Sequence, residues 1–191
     1  MYAKGEAQRQ GLVDAANRLI YQRGYARTSF SDIAKEAGFN RGNFYHYFKA
    51  KEDILAAVVA DRLGRIQGML DGWDADIDAP LERLHRFVRI LSVEAEDVAK
   101  SGCPMGTLSS EMAKGDRGNL ALVRQMFDLF RVWLERQFTL LGIPAEQAPA
   151  HATRLLVLTQ GIAMLAHVYG DAEILKSEVR DVENWLKTLE K

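Results

Sequence analysis

Apolar residues recur three or four positions apart along almost the whole of this 191-residue chain, and this spacing limits its fold more than any other feature. Such spacing places apolar side chains on one face of an α-helix, whereas a half-buried strand alternates apolar and polar residues. One stripe runs through Leu12, Ala16, Leu19 and Ile20 and stops at Gly24, a natural helix terminator. No alternating run or hairpin signal interrupts the pattern. The sequence therefore predicts an all-α protein of about nine helices.

The predicted helices are short before residue 51 and long after it. A polar turn, KGDRGN, is predicted over residues 114–119, and glycine or proline separates the last long helices. Long helices are predicted over residues 54–70, 81–98, 120–141, 146–169 and 172–189. A brief helix is predicted to begin near residue 104.

Composition excludes several classes of protein. No apolar run approaches the roughly 18 residues that a membrane-spanning helix needs, and the N-terminus lacks the hydrophobic stretch of a signal peptide. Cys103 is the single cysteine, which excludes an internal disulfide and fits a reducing compartment. We therefore expect a cytoplasmic protein with no membrane partner.

A stretch of eleven residues, GFNRGNFYHYF (38–48), holds five aromatic rings beside an arginine, two asparagines and a histidine. Before it, Ser29 is suited to cap a short helix, and Asp32 can return the bond as a capping box. Gly38 tolerates the left-handed conformation of a tight turn, and Asn40 is a good N-cap for a second short helix. The segment is therefore predicted to be a helix-turn-helix, whose second helix enters the DNA major groove.

Several polar side chains of this segment suit contacts with DNA. Arg41 can donate two parallel hydrogen bonds to guanine, and Asn43 can bond an adenine edge or a phosphate. Tyr45 can pack on a thymine methyl group or reach a phosphate. Lys51 begins the next predicted helix, where an ammonium and a helix N-terminus can hold the same phosphate. The candidate DNA-binding residues are Thr28, Ser29, Ser31, Asn40, Arg41, Gly42, Asn43, Tyr45, His46 and Lys51.

The charge is distributed unevenly although the whole chain carries only −1. Residues 1–51 hold nine Lys/Arg and four Asp/Glu, a net charge of +5, and the other 140 residues hold 16 basic and 22 acidic groups, a net charge of −6. A basic N-terminal part on an acidic remainder favours contact of that part with a polyanion. Chance segregation over a solvated surface is the alternative on charge alone.

Residues Thr28–Leu55, TSFSDIAKEAGFNRGNFYHYFKAKEDIL, resemble the N-terminal domain of the TetR-type (TetR/AcrR) transcriptional regulators. The shared features are the capped helix with IA and AG, the glycine turn, the aromatic YHYF, and K-x-K before an acidic-apolar helix. Asn40 and Arg41 depart slightly from the usual pattern. The remainder of the chain agrees with the family only in the number and length of its helices.

The resemblance implies a homodimer that binds a palindromic, double-stranded operator and usually represses transcription. It also implies that a ligand in the C-terminal domain changes the spacing of the two DNA-binding domains and releases the DNA. Residues 1–51 are then the DNA-binding domain and residues 52–191 the ligand-sensing and dimerisation domain, with 52–72 as the connecting helix.

The last two predicted helices are apolar on more than one side. The resemblance suggests that they meet their symmetry mates in a four-helix bundle, and an isologous contact of this kind suits a palindromic site. A core within one subunit is the alternative. The candidate dimer-interface residues are Leu158, Ile162, Leu165, Val182 and Leu186.

A ligand pocket is expected among the helices of residues 81–169. Its lining would offer few charges, which favours a small apolar or aromatic effector. Aromatic residues and methionines at helical spacing are, however, more often plain core. The candidate pocket residues are Phe87, Cys103, Met105, Met112, Phe127, Phe130, Trp133, Met164 and His167.

Cys103 has two readings. It precedes Pro104 at a predicted helix start, where the helix dipole favours a thiolate, so it could sense electrophiles or oxidants. A small, buried and inert residue is the commoner role of a lone cysteine. The first reading gives an alternative function: a thiol-based repressor of the same fold.

Two other classes of protein were weighed. Glu82-x-x-His85 has the spacing of half a carboxylate di-iron site, but the sequence holds no second copy and no phosphate loop or serine elbow. We therefore expect no catalytic residues, no metal and no cofactor. A basic architectural protein that coats DNA without sequence preference is the other alternative, and the long apolar body argues against it.

Overall fold

The computed structural model of the chain describes residues 2–115 and 117–190, with the side chains of residues 2–4, 41, 43, 115 and 117 outside that description. Every regular element in these ranges is α-helical, so the all-α prediction is confirmed. The ten helices in the described ranges are α1 (Tyr2–Arg23), α2 (Phe30–Glu36), α3 (Arg41–Tyr47), α4 (Lys51–Asp76), α5 (Pro80–Val93), α6 (Ala95–Ser101), α7 (Pro104–Gly115), α8 (Arg117–Leu140), α9 (Ala148–Tyr169) and α10 (Ala172–Lys187).

Two predicted segments differ from the structure. The helix predicted over 81–98 is observed as two, because Glu94 (φ −105°, ψ 24°) leaves the helical conformation between α5 and α6. The polar turn predicted over 114–119 is helical through Gly115 and again from Arg117, while residue 116 lies outside the described residues. Glycine and polar residues weaken helix propensity, but tertiary context commonly overrides that preference.

The chain forms two compact units that do not follow a single cut along the sequence. The first contains the residues up to Arg65 together with Thr107–Met126, and the second contains Ile66–Gly106 and the residues from Phe127 onward. The predicted division into residues 1–51 and 52–191 concerns binding roles and stays a prediction.

The first three helices, α1 to α3, form the head of the first unit. Phe44 of α3 is fully buried and stacks on Phe30 of α2 at a ring-centroid distance of 4.3 Å. Leu12 of α1 and Ile33 of α2 are equally buried, so one apolar core joins all three helices. Burial of such side chains contributes about 1.5–3 kcal/mol each, so this core stabilises the packing of the three helices.

The second unit is built around one larger apolar cluster. It buries side chains from α5, α6, the C-terminal half of α8, α9 and α10. Five of its fully buried members are Leu84, Leu134, Leu155, Leu175 and Leu186. Across the described parts of the chain, none of the helices combines the length and apolar character that a bilayer-spanning segment requires.

Candidate nucleic-acid interface

Local hydrogen bonds define both ends of α2. At its start, the Ser29 hydroxyl accepts from the Asp32 amide at 3.2 Å, and Asp32 Oδ2 accepts from the Ser29 amide at 3.0 Å, so the predicted capping box is present. At its end, Phe39 N–H donates to Ala34 O at 2.8 Å and Gly38 N–H to Lys35 O at 3.1 Å. These two bonds form a Schellman motif, which requires the left-handed conformation that Gly38 adopts at φ 74°.

The α3 helix has a buried face and an open face. Phe44 and the C-cap residue Phe48 are buried in the core of the head, whereas Gly42, Tyr45 and His46 are exposed. Tyr45 is 39% exposed, and its ring meets Phe30 edge-on at 5.6 Å. A Cβ at Gly42 would have no atom within 4 Å, so the backbone here is open to a close approach by another molecule.

The structure describes only part of the predicted base-reading set. Asn40 is exposed at the N-cap position of α3, and its side chain makes no capping hydrogen bond. Arg41 and Asn43 lie on the backbone of α3, but their side chains are outside the described residues. Their assignment to base contacts stays a prediction.

The three predicted hydroxyl contacts differ in their surroundings. Thr28 is buried, and its hydroxyl donates to the carbonyl of Gly24 at 2.8 Å. The Ser29 hydroxyl is engaged in the capping box, and Ser31 is exposed near the start of α2. Of the three, Ser31 has the hydroxyl that is most open to solvent.

Lys51 lies at the first position of α4 and contacts the turn between α1 and α2. Its Nζ donates to the carbonyl of Ala26 at 3.2 Å and lies 4.3 Å from the centroid of the Tyr25 ring. Partial burial lowers the pKa of Lys51, and the negative charges of Glu111 and Glu52 act against that shift. The contacts with Ala26 and Tyr25 hold the Lys51 ammonium beside the turn between α1 and α2.

An open cleft of about 410 Å³ lies beside this lysine in the first unit. Its lining combines the end of the α1–α2 turn, the first residues of α2 and the start of α4. The lining residues are Ala26, Arg27, Thr28, Ser29, Phe30, Ser31 and Lys51. The two cationic side chains of this lining, Arg27 and Lys51, suit a phosphate group.

Two residues of this region were missed by sequence reasoning. Arg27 is exposed in the cleft, and its Nε donates to the carbonyl of Arg23 at 2.8 Å. The sequence signal that could have identified Arg27 is its positive charge within the basic N-terminal part of the chain. Glu111 of α7 accepts hydrogen bonds from the amides of Tyr25 and Ala26. No local signal marks that contact, because about 85 residues separate the partners in sequence.

The predicted pocket residues are divided between the two units. Met112 belongs to the first unit, and the others belong to the second. Phe87, Phe130 and Trp133 are buried there, with Phe87 and Phe130 meeting edge-on at 5.3 Å. Trp133 contacts the ring of Trp73 at 5.7 Å, and its indole Nε1 is buried without a hydrogen-bond partner among the described residues.

The remaining pocket candidates are less enclosed. Cys103, Met105 and Phe127 are partly exposed, and Met164 is 63% exposed on α9. His167 is exposed as well, and its Nδ1 lies 3.1 Å from the carbonyl oxygen of Ala99. The structure thus gathers only part of the proposed lining into one buried region.

The five predicted dimer residues also occupy different environments. Ile162, Val182 and Leu186 are buried within the subunit core, and Leu158 packs against its edge. Leu165 is 49% exposed on α9. Their role in dimer contacts stays a prediction.

The carboxylate–histidine pair weighed in the sequence is a local contact. His85 is buried, and its Nδ1 lies 3.3 Å from Glu82 Oε1 one helical turn away. Within residues 2–115 and 117–190, no group of three or more His, Cys, Asp or Glu side chains is arranged to hold a metal ion.

A capped short helix, a left-handed glycine turn and a second short helix with an open polar face define a helix-turn-helix DNA-binding protein. Residues 12–58 match the family model described as bacterial regulatory proteins of the tetR family, and residues 80–180 match the C-terminal domain model of LmrA/YxaF-like transcriptional regulators. The chain belongs to the TetR family of transcriptional regulators, which are DNA-binding proteins and not enzymes.

Relatives and solved structures agree with this assignment. An HTH-type transcriptional regulator in the lacX 3' region of Lactococcus lactis is 30% identical over 172 residues, or 88% of each chain. The transcriptional repressor NemR of Escherichia coli is 26% identical over 195 residues, or 94% of each chain. A TetR regulator from Chloroflexus aurantiacus has the same fold, with a TM-score of 0.85 at 22% identity over 97% of this chain and 96% of that one. The structure of reduced E. coli NemR gives a TM-score of 0.79 at 20% identity over 93% and 96% of the two chains.

Proposed function

We propose that this regulator represses transcription by binding a palindromic operator as a homodimer, and that a small apolar or aromatic effector releases it. Residues 1–51 provide the DNA contacts in this proposal, and residues 52–191 provide dimerisation and effector binding. The protein acts in the cytoplasm, where its operator is accessible.

The observation that carries the proposal is the two-sided α3 helix. Phe44 of α3 and Phe48 directly after it are buried in the core of the head, which leaves Gly42, Tyr45 and His46 exposed together. A helix that is anchored by a buried aromatic side chain and exposes polar side chains on its other face fits insertion into the major groove.

The exposed side of α9 supports a homodimer. Val157, Met164 and Val168 are 64%, 63% and 69% exposed, and Gly161 lies between the first two on the same helical stripe. A Cβ on Gly161 would meet no atom within 4 Å, so a second helix can approach closely at this point. Apolar positions at this spacing are typical of a helix-pairing seam, and an isologous pairing matches a palindromic operator.

The aromatic pairs of the second unit support the class of effector. Phe87 with Phe130 and Trp73 with Trp133 provide apolar surface near the one buried indole that lacks a hydrogen-bond partner among the described residues. An aromatic effector with one acceptor atom would match this chemistry. Displacement of DNA by such compounds, with intrinsic tryptophan fluorescence as the binding signal, identifies the effector class.

The first experiment is fluorescence anisotropy of the purified protein with the DNA immediately upstream of its own gene. A random duplex of equal length at matched salt is the control, because non-specific binding depends strongly on salt. We expect tight binding to the upstream duplex alone, with two protein chains for each site.

The same experiment separates the alternatives. Equal and salt-sensitive binding to both duplexes would support an architectural protein that coats DNA. One bound chain per site would contradict the homodimer and leave the helix-turn-helix assignment intact.

A second candidate function is a thiol-based sensor of electrophiles or oxidants, which uses Cys103. This residue directly precedes α7 and is partly exposed, and the site of a Cβ on Gly106 lies 3.9 Å from its Sγ. Treatment with N-ethylmaleimide should then release wild-type protein from its operator and leave Cys103→Ser bound. Equal release of both proteins would remove Cys103 as the sensor.

A further inference from the structure

A carboxylate from α7 holds the turn between α1 and α2. Glu111 Oε2 accepts a hydrogen bond from the Tyr25 amide at 2.8 Å, and Oε1 accepts one from the Ala26 amide at 2.9 Å. Both oxygens are thus engaged by consecutive backbone donors. Hydrogen bonds of this kind, with an ionised acceptor, are about twice as strong as neutral ones.

The turn is shaped around this carboxylate. Gly24 has φ +85°, and a Cβ on it would lie 3.0 Å from both oxygens of Glu111. A side chain at this position would therefore crowd the carboxylate and push it away from the two amides, and it would also strain the backbone. The glycine that ends α1 leaves room for Glu111 to reach the two amides.

The same turn holds the groups that line the predicted phosphate cleft. The carbonyl of Ala26 accepts from Lys51 Nζ at 3.2 Å, and the ring of Tyr25 lies under the same ammonium. The Thr28 amide donates to Tyr25 O at 3.2 Å, and its hydroxyl donates to Gly24 O at 2.8 Å. Tyr25 and Ala26, whose amides bond Glu111, are therefore both in contact with Lys51 of the cleft as well.

We propose that Glu111 is a positioning residue for DNA binding, which holds the α1–α2 turn so that Lys51 and the cleft beside it receive one phosphate of the operator. This inference rests on the proposed operator binding and adds to it a residue of α7, far from the helix-turn-helix in sequence. Glu111 touches no DNA in this role, since its two oxygens are occupied by the turn.

Removal of the Glu111 carboxylate should raise the affinity for DNA if only its charge matters, and should lower that affinity if its hydrogen bonds position the turn. Glu111 and Glu52 are the two acids whose charges act on Lys51. If charge alone mattered, neutralising either acid would strengthen the attraction of this region for phosphate. If Glu111 positions the turn, Glu111→Gln weakens binding, because the amide group repels one of the two backbone N–H donors.

The test compares Glu111→Gln with the matched control Glu52→Gln by anisotropy on the operator duplex over a series of salt concentrations. We expect E111Q to bind about tenfold more weakly, as for the loss of a hydrogen bond to a charged group, and to lower the salt slope by about one phosphate. E52Q should bind as tightly as wild type or more tightly.

A double-mutant cycle with Lys51→Ala separates positioning from a general loss of stability. If Glu111 acts through Lys51 and its cleft, E111Q should cost less than about twofold in the K51A background, because interacting residues are non-additive. An equal loss in both backgrounds would make the role structural and overturn the proposal. So would E111Q binding as tightly as wild type.

Hydrogen exchange of the Tyr25 and Ala26 amides in free protein provides a readout without DNA. E111Q should accelerate exchange at these two amides and leave amides in α9 unchanged. Glu111→Asp, which keeps the charge and shortens the side chain, takes its place if E111Q does not fold.

The two proposals fail in different ways. Wild-type protein that does not prefer its operator would overturn the proposed function and the role of Glu111 with it. Specific binding by wild type and an undiminished affinity of E111Q would overturn the role of Glu111 alone.

Discussion

The hydroxyl of Ser29 serves the start of α2 in two ways. It accepts from the Asp32 amide and donates to the Asp32 carboxylate, whose other bond is to the Ser29 amide. The side-chain and backbone hydrogen bonds from Ser29 lower the pKa of Asp32, with smaller contributions from the charges of Arg23 and Lys35. Because this pair is formed by residues only three positions apart, it was predictable from sequence.

Ser29→Ala should destabilise the protein by about 1 kcal/mol, the usual cost of removing an N-cap. Thermal unfolding followed by circular dichroism measures the change. Ser31→Ala, an exposed serine of the same helix that makes no cap, is the matched control and should leave the midpoint within error.

The Ser29–Asp32 capping box should make the free energy of unfolding depend on pH. A carboxylate with a lowered folded-state pKa stabilises the fold above its unfolded value of about 3.8, and this contribution is lost as pH falls through the folded pKa. The difference in unfolding free energy between wild type and Asp32→Asn should therefore stay constant near neutral pH and shrink below about pH 4. A difference that persists undiminished at pH 2.5 would contradict the carboxylate's part in the cap.

The α9 helix has two apolar sides, of which one is buried in the subunit and the other is exposed. Leu155, Ile162 and Ala166 are buried in the subunit core, whereas Val157 and Val168 face outward. A helix that is apolar all round must be covered on each side, since exposed contiguous apolar patches mark interaction surfaces. The outward side is the surface that we propose for contact with the symmetry mate.

Val168→Glu should convert the proposed dimer to a monomer of 21.5 kDa, because burial of an unpaired charge in an apolar interface is strongly unfavourable. Light scattering after size-exclusion chromatography measures the mass. Val132→Glu, at a 58% exposed valine on α8, is the matched control and should leave the dimer intact. Dimers in both variants would move the interface away from this side of α9.

Charge is separated along the whole molecule. The N-terminal 51 residues carry +5 and the rest carries −6, so the field that attracts DNA comes from one part of the protein. Long-range attraction of DNA is thus a property of the charge distribution, whereas we propose that sequence discrimination depends on a few side chains of α3.

Arg41→Ala and Lys51→Ala should therefore have different effects on specific and non-specific DNA binding. We expect Arg41→Ala to weaken operator binding by about 1–3 kcal/mol and to change binding to a random duplex little, as for a lost base contact. Lys51→Ala should weaken both and reduce the salt slope by about one. Anisotropy on the two duplexes at several salt concentrations measures both quantities, and equal losses for Arg41→Ala on both duplexes would make it a phosphate contact.

Helices, caps and the helix-turn-helix were accessible from the sequence because they depend on neighbours within one or two turns. The Ser29–Asp32 box, the left-handed Gly38 and the end of α1 at Gly24 are all observed where the residue pattern predicts them. The family resemblance of residues 28–55 is likewise a local pattern, and the match to the tetR model over residues 12–58 confirms it.

Other features depend on contacts between residues distant in sequence, and no local pattern encodes them. Apolar spacing shows that α9 is apolar on several sides, but only the packing of α5, α6 and α10 against it assigns Ile162 to the core and Val168 to the surface. Glu111 reads as an ordinary helical acid until α7 brings it to the amides of Tyr25 and Ala26. Such pairings follow from the balance of burial over the whole chain, and that balance exists only once the helices have packed.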